Sequence, residues 1–501
     1  MDSSATYLFL VGVSLISKVM GFIREAALAA LFGSTAETDA YLVAVTIPML
    51  LPSLIGAFLS TNFIPMLQKK QFEGGTQAWN ALANNIFNIV AVLLLLLCLL
   101  GAAVNEWIIA WISPGFAPST TALAVRLTYI TLPVVIFSGL STFAIGVYHS
   151  RNSFVIPMIF VLCLNIVILY FLFLAAKYGI TWLAAGYTIG LGAQCIFQLL
   201  LLKRVGYHWR WHFDLKDEGF RKMVWLCGPI AIANMVGQIN MWVDRMLGST
   251  LPAGGISGLY YGERLNTTLH TMLVLTVATM LFPKMSQKIA EGNQLAFGVL
   301  FRKGCSFILF ISLPMAIACA YYAEDIVKMV FMRGVFDQAA VAMTTGALFY
   351  FTLGLPALGL VELTNRAFYS LQDTKAPLLT SSLAIASNVV LSFTLIAPMQ
   401  QRGLALASSI AMICQAMGLL YILDRRVAGV ITKTWLVKSF QLIGVAIAGI
   451  AMIHAAQFAN WLIGLIAYLL LYGIGIGCSG CLDELEIKSR IQEWITVKIR
   501  S

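Results

Sequence analysis

Six cationic side chains lie inside long apolar stretches of this sequence, where charge is energetically expensive, and three of them lie too deep to reach a stretch end easily. These three are Lys18, Arg24 and Arg264. An unpaired charge at the middle of a bilayer costs at least about 2.5–3.5 kcal/mol. Arg24 and Arg264 each lie nine residues from the outer end of a stretch, at Gly33 and Gly255, which is about 13 Å deep on a helix. Because a guanidinium group binds phosphate through two parallel hydrogen bonds, these positions indicate a phosphate or pyrophosphate ligand.

Acidic side chains lie close to these cations. Glu25 follows Arg24, Glu263 precedes Arg264, and Asp39 lies at the start of the next apolar stretch. We expect these acids to act as counter-ions in the same cavity. The alternative is that the charges form structural ion pairs and bind no ligand.

The composition identifies the solvent of these stretches as lipid. Of 501 residues, 60% are hydrophobic and 11% charged, whereas a soluble protein is about 45–50% apolar and 25% charged. Mean hydropathy is +0.86. Neither a G-x-x-x-x-G-K-[ST] loop nor an H-E-x-x-H motif occurs. The sequence therefore predicts a transporter rather than an enzyme.

A helix needs about 20 residues to span the bilayer. The sequence contains fourteen apolar runs of about that length. We predict an all-α integral membrane protein with fourteen transmembrane helices. The runs cover 6–32, 38–66, 82–104, 119–149, 153–176, 181–202, 223–248, 256–283, 299–322, 338–368, 377–398, 403–424, 435–456 and 460–480. The tail 482–500 alternates apolar and charged residues at helical spacing, which predicts an amphipathic helix on the membrane surface.

Basic residues predict the orientation of the spans. With both termini in the cytoplasm, cytoplasmic segments hold 22 Lys and Arg, and the opposite side holds four. This asymmetry follows the positive-inside rule. The net charge of +10 is therefore explained by the membrane, and we expect lipid rather than nucleic acid as the partner.

A weak internal repeat divides the chain into halves. Gly33-Ser34-Thr35 recurs at Gly248-Ser249-Thr250, and Gly115 recurs at Gly334, with nearly the same separation between the copies in both cases. A repeat of six helices gives two parallel lobes, and transporters built this way bind substrate between them. The predicted domains are an N-lobe (1–202), a cytoplasmic linker (203–222), a C-lobe (223–424) and two additional helices with the tail (425–501).

The linker contains a second pattern of residues that could bind a ligand. His208 and His212 are four residues apart in YHWRWHF, a spacing that could hold a metal on a helix. The alternative interpretation is an aromatic belt at the membrane interface.

Several motifs together resemble the MurJ (MviN) lipid II flippases of the MOP exporter superfamily. Two lie near the N-terminus: Gly21-Phe22-Ile23-Arg24-Glu25 and Thr38-Asp39-Ala40-Tyr41. Others follow along spans 3–11: Ser113-Pro114-Gly115-Phe116-Ala117, Gly228-Pro229, Gln238-Ile239-Asn240, Tyr260-Tyr261-Gly262-Glu263-Arg264-Leu265 and the run from Phe368 to Pro377.

This resemblance implies a function. The substrate would be lipid II, an undecaprenyl-pyrophosphate-linked disaccharide pentapeptide, moved from the inner to the outer leaflet of the bacterial cytoplasmic membrane by alternating access. Cell-wall synthesis proteins are the expected protein partners. Arg24, Asp39 and Arg264 match functional cavity positions of the family, and Lys18 occupies a position that is usually Arg.

The resemblance also suggests a sodium site, with no other cofactor expected. Some members bind sodium among spans 7, 11 and 12, and Asp244, Asn388 and Ser392 match that region. The alternative for Asp244 is an ion pair with Arg245 near the interface.

One stretch departs from the family pattern and leaves alternatives open. The family usually carries an Arg pair and an acid in span 2, whereas Pro48 to Phe58 has no charge. A cavity with fewer cations favours another undecaprenyl-linked glycan, as in Wzx-type exporters. A MATE-like antiporter would instead have twelve spans and an acidic cavity, and a membrane scaffold would not need arginines at mid-span.

The orientation is testable by cysteine labelling of intact cells. A cysteine placed at Ala253 or Ala459 is expected to react with an impermeant reagent from outside, and one at Thr76 is not. Reaction at Thr76 in unbroken cells would reverse the topology.

Overall fold

The structure is a computed structural model in which every regular element described is a helix. It describes residues 3–58, 63–217, 219–221, 225, 238–427, 429–458 and 460–479. Over those ranges no β-strand is present. The predicted all-α class is confirmed.

The chain divides into two compact units. The first comprises Met1–Ser257 and Phe331–Asp337. Its helices are α1 (Ser3–Phe32), α2 (Ala36–Phe58), α3 (Ile64–Ala103), α4 (Asn105–Ile112), α5 (Pro118–Thr131), α6 (Val134–Ser150), α7 (Val155–Tyr178) and α8 (Ile180–Leu201), with a 3₁₀ turn at Leu202–Val205. Residues 238–248 are also helical.

The second unit comprises Gly258–Val330 and Gln338–Ser501. Helix α9 (Gly255–Ala290) begins three residues before it. The others are α10 (Gln294–Tyr321), α11 (Ala323–Phe331), α12 (Gln338–Leu353), α13 (Leu355–Ser370), α14 (Lys375–Met399), α15 (Gln401–Arg426), α16 (Lys433–Ala456) and α17 (Trp461–Ser479).

Many of these helices have the length and composition of membrane spans. Within the described ranges, eight qualify, and ten do so if two pairs bent by 45° are each taken as one span. This establishes a multi-pass membrane protein, and the total of fourteen remains a prediction. Most of predicted span 7 and the tail 482–500 lie outside the described residues.

Aromatic side chains hold the helices of the first unit together. Trp79 of α3 is fully buried, and its indole N–H donates to the Ser150 hydroxyl at 3.3 Å. The Arg151 guanidinium lies 4.1 Å above the indole ring, and Phe143 of α6 lies in the same buried cluster. These contacts fix α3 against α6, because the indole buries a large apolar surface while its N–H and its ring face both have partners.

The second unit has an equivalent core. Phe297 and Phe301 of α10 stack with ring centroids 6.5 Å apart. Trp435 of α16 donates its indole N–H to Ser306 at 3.1 Å. This bond ties α16 to α10, so at least the first of the two additional C-terminal helices is packed against the unit.

Two glycine-containing loops of the first unit make the same close contact at equivalent repeat positions. A Cβ at Gly115 would overlap the Ser249 carbonyl, and one at Gly334 would overlap the Ala30 carbonyl. The number of residues that separates Gly115 from Gly334 is the same as the number that separates Ala30 from Ser249. The recurrence of one contact at one offset supports the internal duplication inferred from the sequence.

This contact predicts an unequal effect of two glycine substitutions. Gly334 and Gly292 both have positive φ, 58° and 70°, so alanine adds about 1–2 kcal/mol of backbone strain at either position. Only at Gly334 does the new methyl group also meet a carbonyl, which adds about 1–3 kcal/mol. Gly334→Ala should therefore lower the thermal midpoint of the detergent-solubilised chain more than Gly292→Ala. Equal shifts would contradict the close packing.

Candidate functional site

The carboxylate of Asp39 binds the beginning of helix α9. Its Oδ2 accepts the backbone N–H of Gly254 at 2.7 Å, and its Oδ1 accepts that of Ser257 at 2.7 Å. Asp39 itself lies in the first turn of α2 and is 3% exposed. The first N–H groups of a helix have no partner inside the helix. Asp39 supplies that partner from another element, and its negative charge also suits the positive end of the helix dipole.

Small hydroxyl side chains surround the Asp39 carboxylate. Ser34 donates to the Gly254 carbonyl at 3.1 Å and hydrogen-bonds Ser257 at 3.0 Å. Thr38 is fully buried and donates to the Gly33 carbonyl at 3.0 Å. The α1–α2 turn and the start of α9 therefore form one hydrogen-bonded cluster. The sequence did not predict that Ser34 and Gly254 belong to this cluster, because no local pattern relates residues so far apart in the chain.

Arg24 and Glu25 form an ion pair on α1. Arg24 Nη2 lies 2.8 Å from Glu25 Oε1, and the side chains are 25% and 9% exposed. Arg24 therefore has an acidic neighbour in direct contact. Lys18, six residues earlier on the same helix, is exposed.

Arg264 and Glu263 are both exposed on α9. The Arg264 guanidinium carbon lies 5.0 Å from the centroid of the Tyr260 ring, one turn earlier. Stacking on an aromatic face holds the plane of the guanidinium group. Arg264 and Glu263 thus place one positive and one negative group side by side on an exposed part of α9.

The predicted sodium ligands belong to different units. Asp244 is in the helical residues 238–248, and Asn240 donates to its Oδ2 at 3.4 Å. Asn388 and Ser392 are both buried on α14, where Ser392 donates to the Asn388 amide oxygen at 3.0 Å. The Asn388 amide nitrogen donates to Ser408 of α15 at 3.0 Å. The structure thus brings Asn388 and Ser392 together. Carboxylate, amide and hydroxyl oxygens are ligands that suit a hard cation.

The two linker histidines do not share a helix. Residues 207–214 are without helical structure, and an extended chain advances about 3.3 Å per residue, so His208 and His212 lie roughly 13 Å apart. That distance is too long for one metal ion. Throughout the part of the chain that the structure describes, no group of three or more His, Cys, Asp or Glu side chains is arranged to hold a metal.

Comparison with known proteins gives the family. The profile described as "Lipid II flippase MurJ" matches residues 28–472. The chain belongs to the MurJ lipid II flippase family. The resemblance of its motifs to this family is therefore confirmed.

Individual MurJ relatives match over most of their length. The probable lipid II flippase MurJ of Buchnera aphidicola subsp. Schizaphis graminum is 30% identical over 406 residues, covering 80% of this chain and 79% of that protein. The Vibrio cholerae protein of the same description is 28% identical over 468 residues, covering 90% and 89%. The lipid II flippase MurJ of Burkholderia cenocepacia is 27% identical over 456 residues, covering 88% of each.

Solved structures show that the MurJ fold is present and related to other transporters. A lipid II flippase MurJ in an inward closed conformation has a TM-score of 0.83 at 24% identity, covering 94% of this chain and 99% of that one. An inward-facing MATE-family multidrug transporter of the MOP superfamily has a TM-score of 0.72 at 10% identity, covering 83% and 95%. The second match shows a shared fold only.

The role of Asp39 in this MurJ family chain is testable by stability. Asp39→Ala leaves two backbone N–H groups without their acceptor, and we expect it to reduce the free energy of unfolding by about 2–3 kcal/mol. Asp39→Asn retains one acceptor oxygen and should lose less. Glu37→Ala is the control, because Glu37 lies in the same first turn but is exposed. A loss in Asp39→Ala no larger than in Glu37→Ala would remove the proposed cap.

Proposed function

We propose that this chain moves lipid II across the bacterial cytoplasmic membrane, from the inner to the outer leaflet, for cell-wall synthesis. The observation that carries this function is the match to the MurJ family over residues 28–472. The chain is accordingly a transporter and not an enzyme. Alternating access is the mechanism we propose, since a large polar headgroup needs a path that opens to one side at a time.

Arg24, Arg264 and Lys18 are the cations that we assign to the pyrophosphate. Glu25 accepts a hydrogen bond from Arg24 Nη2 at 2.8 Å and so orients the guanidinium group. In this scheme Arg24 binds a phosphate oxygen, and Glu25 limits the charge of the site before substrate arrives. Arg264, held on the Tyr260 ring, is assigned the same role.

We assign Glu25 and Asp39 the role of positioning the cationic residues. We assign Glu263 a place along the path of the substrate headgroup. Both Asp39 oxygens accept backbone N–H groups at the start of α9, the helix that carries Arg264. Asp39 thereby fixes where that helix begins. Glu263 is exposed beside Arg264, where it limits the net positive charge that an anionic headgroup meets.

The topology that we propose has fourteen spans, two parallel lobes (1–202 and 223–424) joined by the linker, and two further helices in 425–501. Both termini are placed in the cytoplasm. The support for this orientation is the excess of Lys and Arg in one set of loops. The repeated contacts of Gly115 and Gly334 support the duplication.

One sequence feature favours a second candidate cargo. The stretch Pro48 to Phe58 has no charged residue, whereas the family usually has an Arg pair there. Fewer cations favour a headgroup with less negative charge. Another undecaprenyl-linked oligosaccharide is therefore the alternative cargo.

Complementation separates the two cargoes. Cells depleted of their own lipid II flippase should resume growth and cell-wall synthesis when this chain is expressed. A strain lacking an exopolysaccharide flippase provides the parallel assay. Rescue of the second strain only would replace lipid II by the other glycan.

The cavity cations give a quantitative prediction. Arg24→Ala or Arg264→Ala should lower lipid II transport roughly tenfold or more, because charge-assisted hydrogen bonds contribute about 1.5–3 kcal/mol. Lysine at either position should be partly active, since it keeps the charge and loses the two-pronged geometry. Arg126→Ala is the matched control, because Arg126 is exposed and close enough to a span end to reach the interface. Full activity of both alanine variants at normal abundance would favour structural ion pairs.

We also propose that sodium binds at Asp244 with Asn388 and Ser392 as further ligands. The support is the oxygen-rich donor set and the contact between Asn388 and Ser392. Asp244→Asn should reduce transport at low sodium and recover at high sodium, because the only carboxylate ligand is lost. Asp325→Asn serves as the control. Unchanged sodium dependence in Asp244→Asn would leave Asp244 as a structural residue.

A further inference from the structure

Four asparagines on helix α3 bind a distant segment of the chain. We call residues 206–214 the linker strap. The asparagines are Asn80, Asn84, Asn85 and Asn88, and three of them are buried. Their side-chain amides bind main-chain groups of the strap. An amide side chain has both a donor and an acceptor, so it can bind a peptide backbone as a neighbouring strand does.

The bonds follow a regular order along the strap. Asn80 donates to the Gly206 carbonyl at 3.0 Å and accepts the His208 N–H at 2.9 Å. Asn84 donates to the His208 carbonyl at 2.9 Å and accepts the Arg210 N–H at 3.0 Å.

The series continues at its far end. Asn88 donates to the carbonyls of Arg210 at 3.1 Å and His212 at 2.9 Å. Asn85 binds both main-chain groups of Asp214, at 2.8 and 2.7 Å. The strap is therefore fixed over its whole length.

The order follows from the similar spacing of residues along a helix and along an extended chain. Four helical residues rise about 6.0 Å, and two extended residues advance about 6.6 Å. Asparagines at every fourth position of a helix therefore meet alternate residues of an extended chain that runs beside it. The strap follows α3 in the same direction for about two helical turns.

Tyr207 of the strap is buried, whereas the side chains of residues 208–213 are exposed. Basic or imidazole groups occur at 208, 210 and 212, and aromatic groups alternate with them at 209, 211 and 213; all six are exposed. Trp209 donates its indole N–H to Asn88 at 3.2 Å, yet it is 58% exposed, and Trp211 is 68% exposed. Internal packing does not account for these two indole rings, because more than half of each is open to the surroundings.

A cavity lies between the strap and α3. It has a volume of about 420 Å³, and its lining includes Gln77, Asn80, His208, Arg210 and His212. The lining includes amide, imidazole and guanidinium groups, and the guanidinium group suits a phosphate ester. Trp211 forms part of the same wall.

The strap lies where the helices leave the hydrocarbon. It follows α8 and a single 3₁₀ turn, Leu202–Val205. Helix α3 is interrupted at Gly74 and Gly75, where the backbone angles are not helical. Its part after the break, residues 76–103, is about 42 Å long, whereas a hydrocarbon core is about 30 Å thick. About 20 helical residues cross that core, so a span that ends at Ala103 begins near Asn84. The asparagines therefore lie around the end of this span. Trp side chains are enriched at this depth because the indole is partly polar.

The charge near the strap is positive. Lys203, Arg204, Arg210 and Lys216 are exposed, and the nearby acids among the described residues are Asp214 and Asp217. Both acids are engaged by backbone N–H groups, Asp214 by Lys216 at 2.8 Å and Asp217 by Phe220 at 2.8 Å. Each basic residue near a membrane surface adds about 1 kcal/mol of attraction to anionic lipid.

We propose that the linker strap is a docking site for the headgroup of an anionic phospholipid. The phosphate lies in the cavity against Arg210, and the indole rings of Trp209 and Trp211 enter the boundary between headgroups and acyl chains. The asparagine series holds the strap at the depth that this contact requires. The proposal does not depend on which glycan the chain transports.

The test measures lipid binding rather than transport. The full chain in detergent is titrated with fluorescent short-chain phosphatidylglycerol, and phosphatidylcholine with identical chains is the neutral comparison. Arg210→Gln combined with Lys216→Gln should weaken phosphatidylglycerol binding by about thirtyfold and leave phosphatidylcholine binding unchanged. Lys284→Gln combined with Lys433→Gln is the matched control, because it removes two exposed charges elsewhere. Equal thermal midpoints establish that both double variants are folded.

Three outcomes would overturn the proposal. The first is equal phosphatidylglycerol affinity in the two double variants. The second is complete displacement of the lipid by excess inorganic phosphate, which would make the cavity an ion site. The third is a loss of binding to undecaprenyl-pyrophosphate lipid with phosphatidylglycerol unaffected, which would make the strap a substrate contact.

Discussion

The backbone N–H groups at the start of α9 need an acceptor, and Asp39 provides it from α2. Two charge-assisted hydrogen bonds of 2.7 Å join segments that are far apart in sequence. Hydrogen bonds to a charged group contribute about 1.5–3 kcal/mol each. The same contact compensates the burial of a carboxylate, which would otherwise be unfavourable. The start of the helix that carries Arg264 therefore depends on a residue of α2.

The same constraint operates in the rest of the molecule. A polar group on an apolar helix needs a partner within the protein because lipid offers none. Trp79 donates a hydrogen bond to Ser150, Asn388 donates one to Ser408, and the asparagines of α3 bind the backbone of the linker strap. Each pairing joins two elements, so the polar residues determine which helices are neighbours while apolar packing fills the space between them.

Composition and the length of the apolar stretches were sufficient to predict the helical class and the multi-pass membrane protein, and the family followed from the resemblance of several motifs. Residue type and depth were also sufficient to single out Arg24 and Arg264, because charge inside an apolar stretch is visible without a structure. Partners far away in sequence were not predictable. Nothing near Asp39 indicates that its carboxylate meets Gly254, and we expected it to be a counter-ion. The linker shows the same limit: His208 and His212 were considered at helical spacing, but the segment follows α3 as an extended chain. The information that determines this conformation is in another segment, NALANNIFN from Asn80 to Asn88.

The transfer of lipid II between leaflets is the most direct test. The purified chain can be reconstituted in vesicles that contain lipid II with a fluorescent headgroup, and a membrane-impermeant quencher then reports the fraction in each leaflet. We predict transfer between leaflets that requires the chain, is reduced in Arg264→Ala and is absent for a labelled phosphatidylcholine. Vesicles in which lipid II stays in its leaflet while another undecaprenyl-linked glycan crosses would contradict the proposed function.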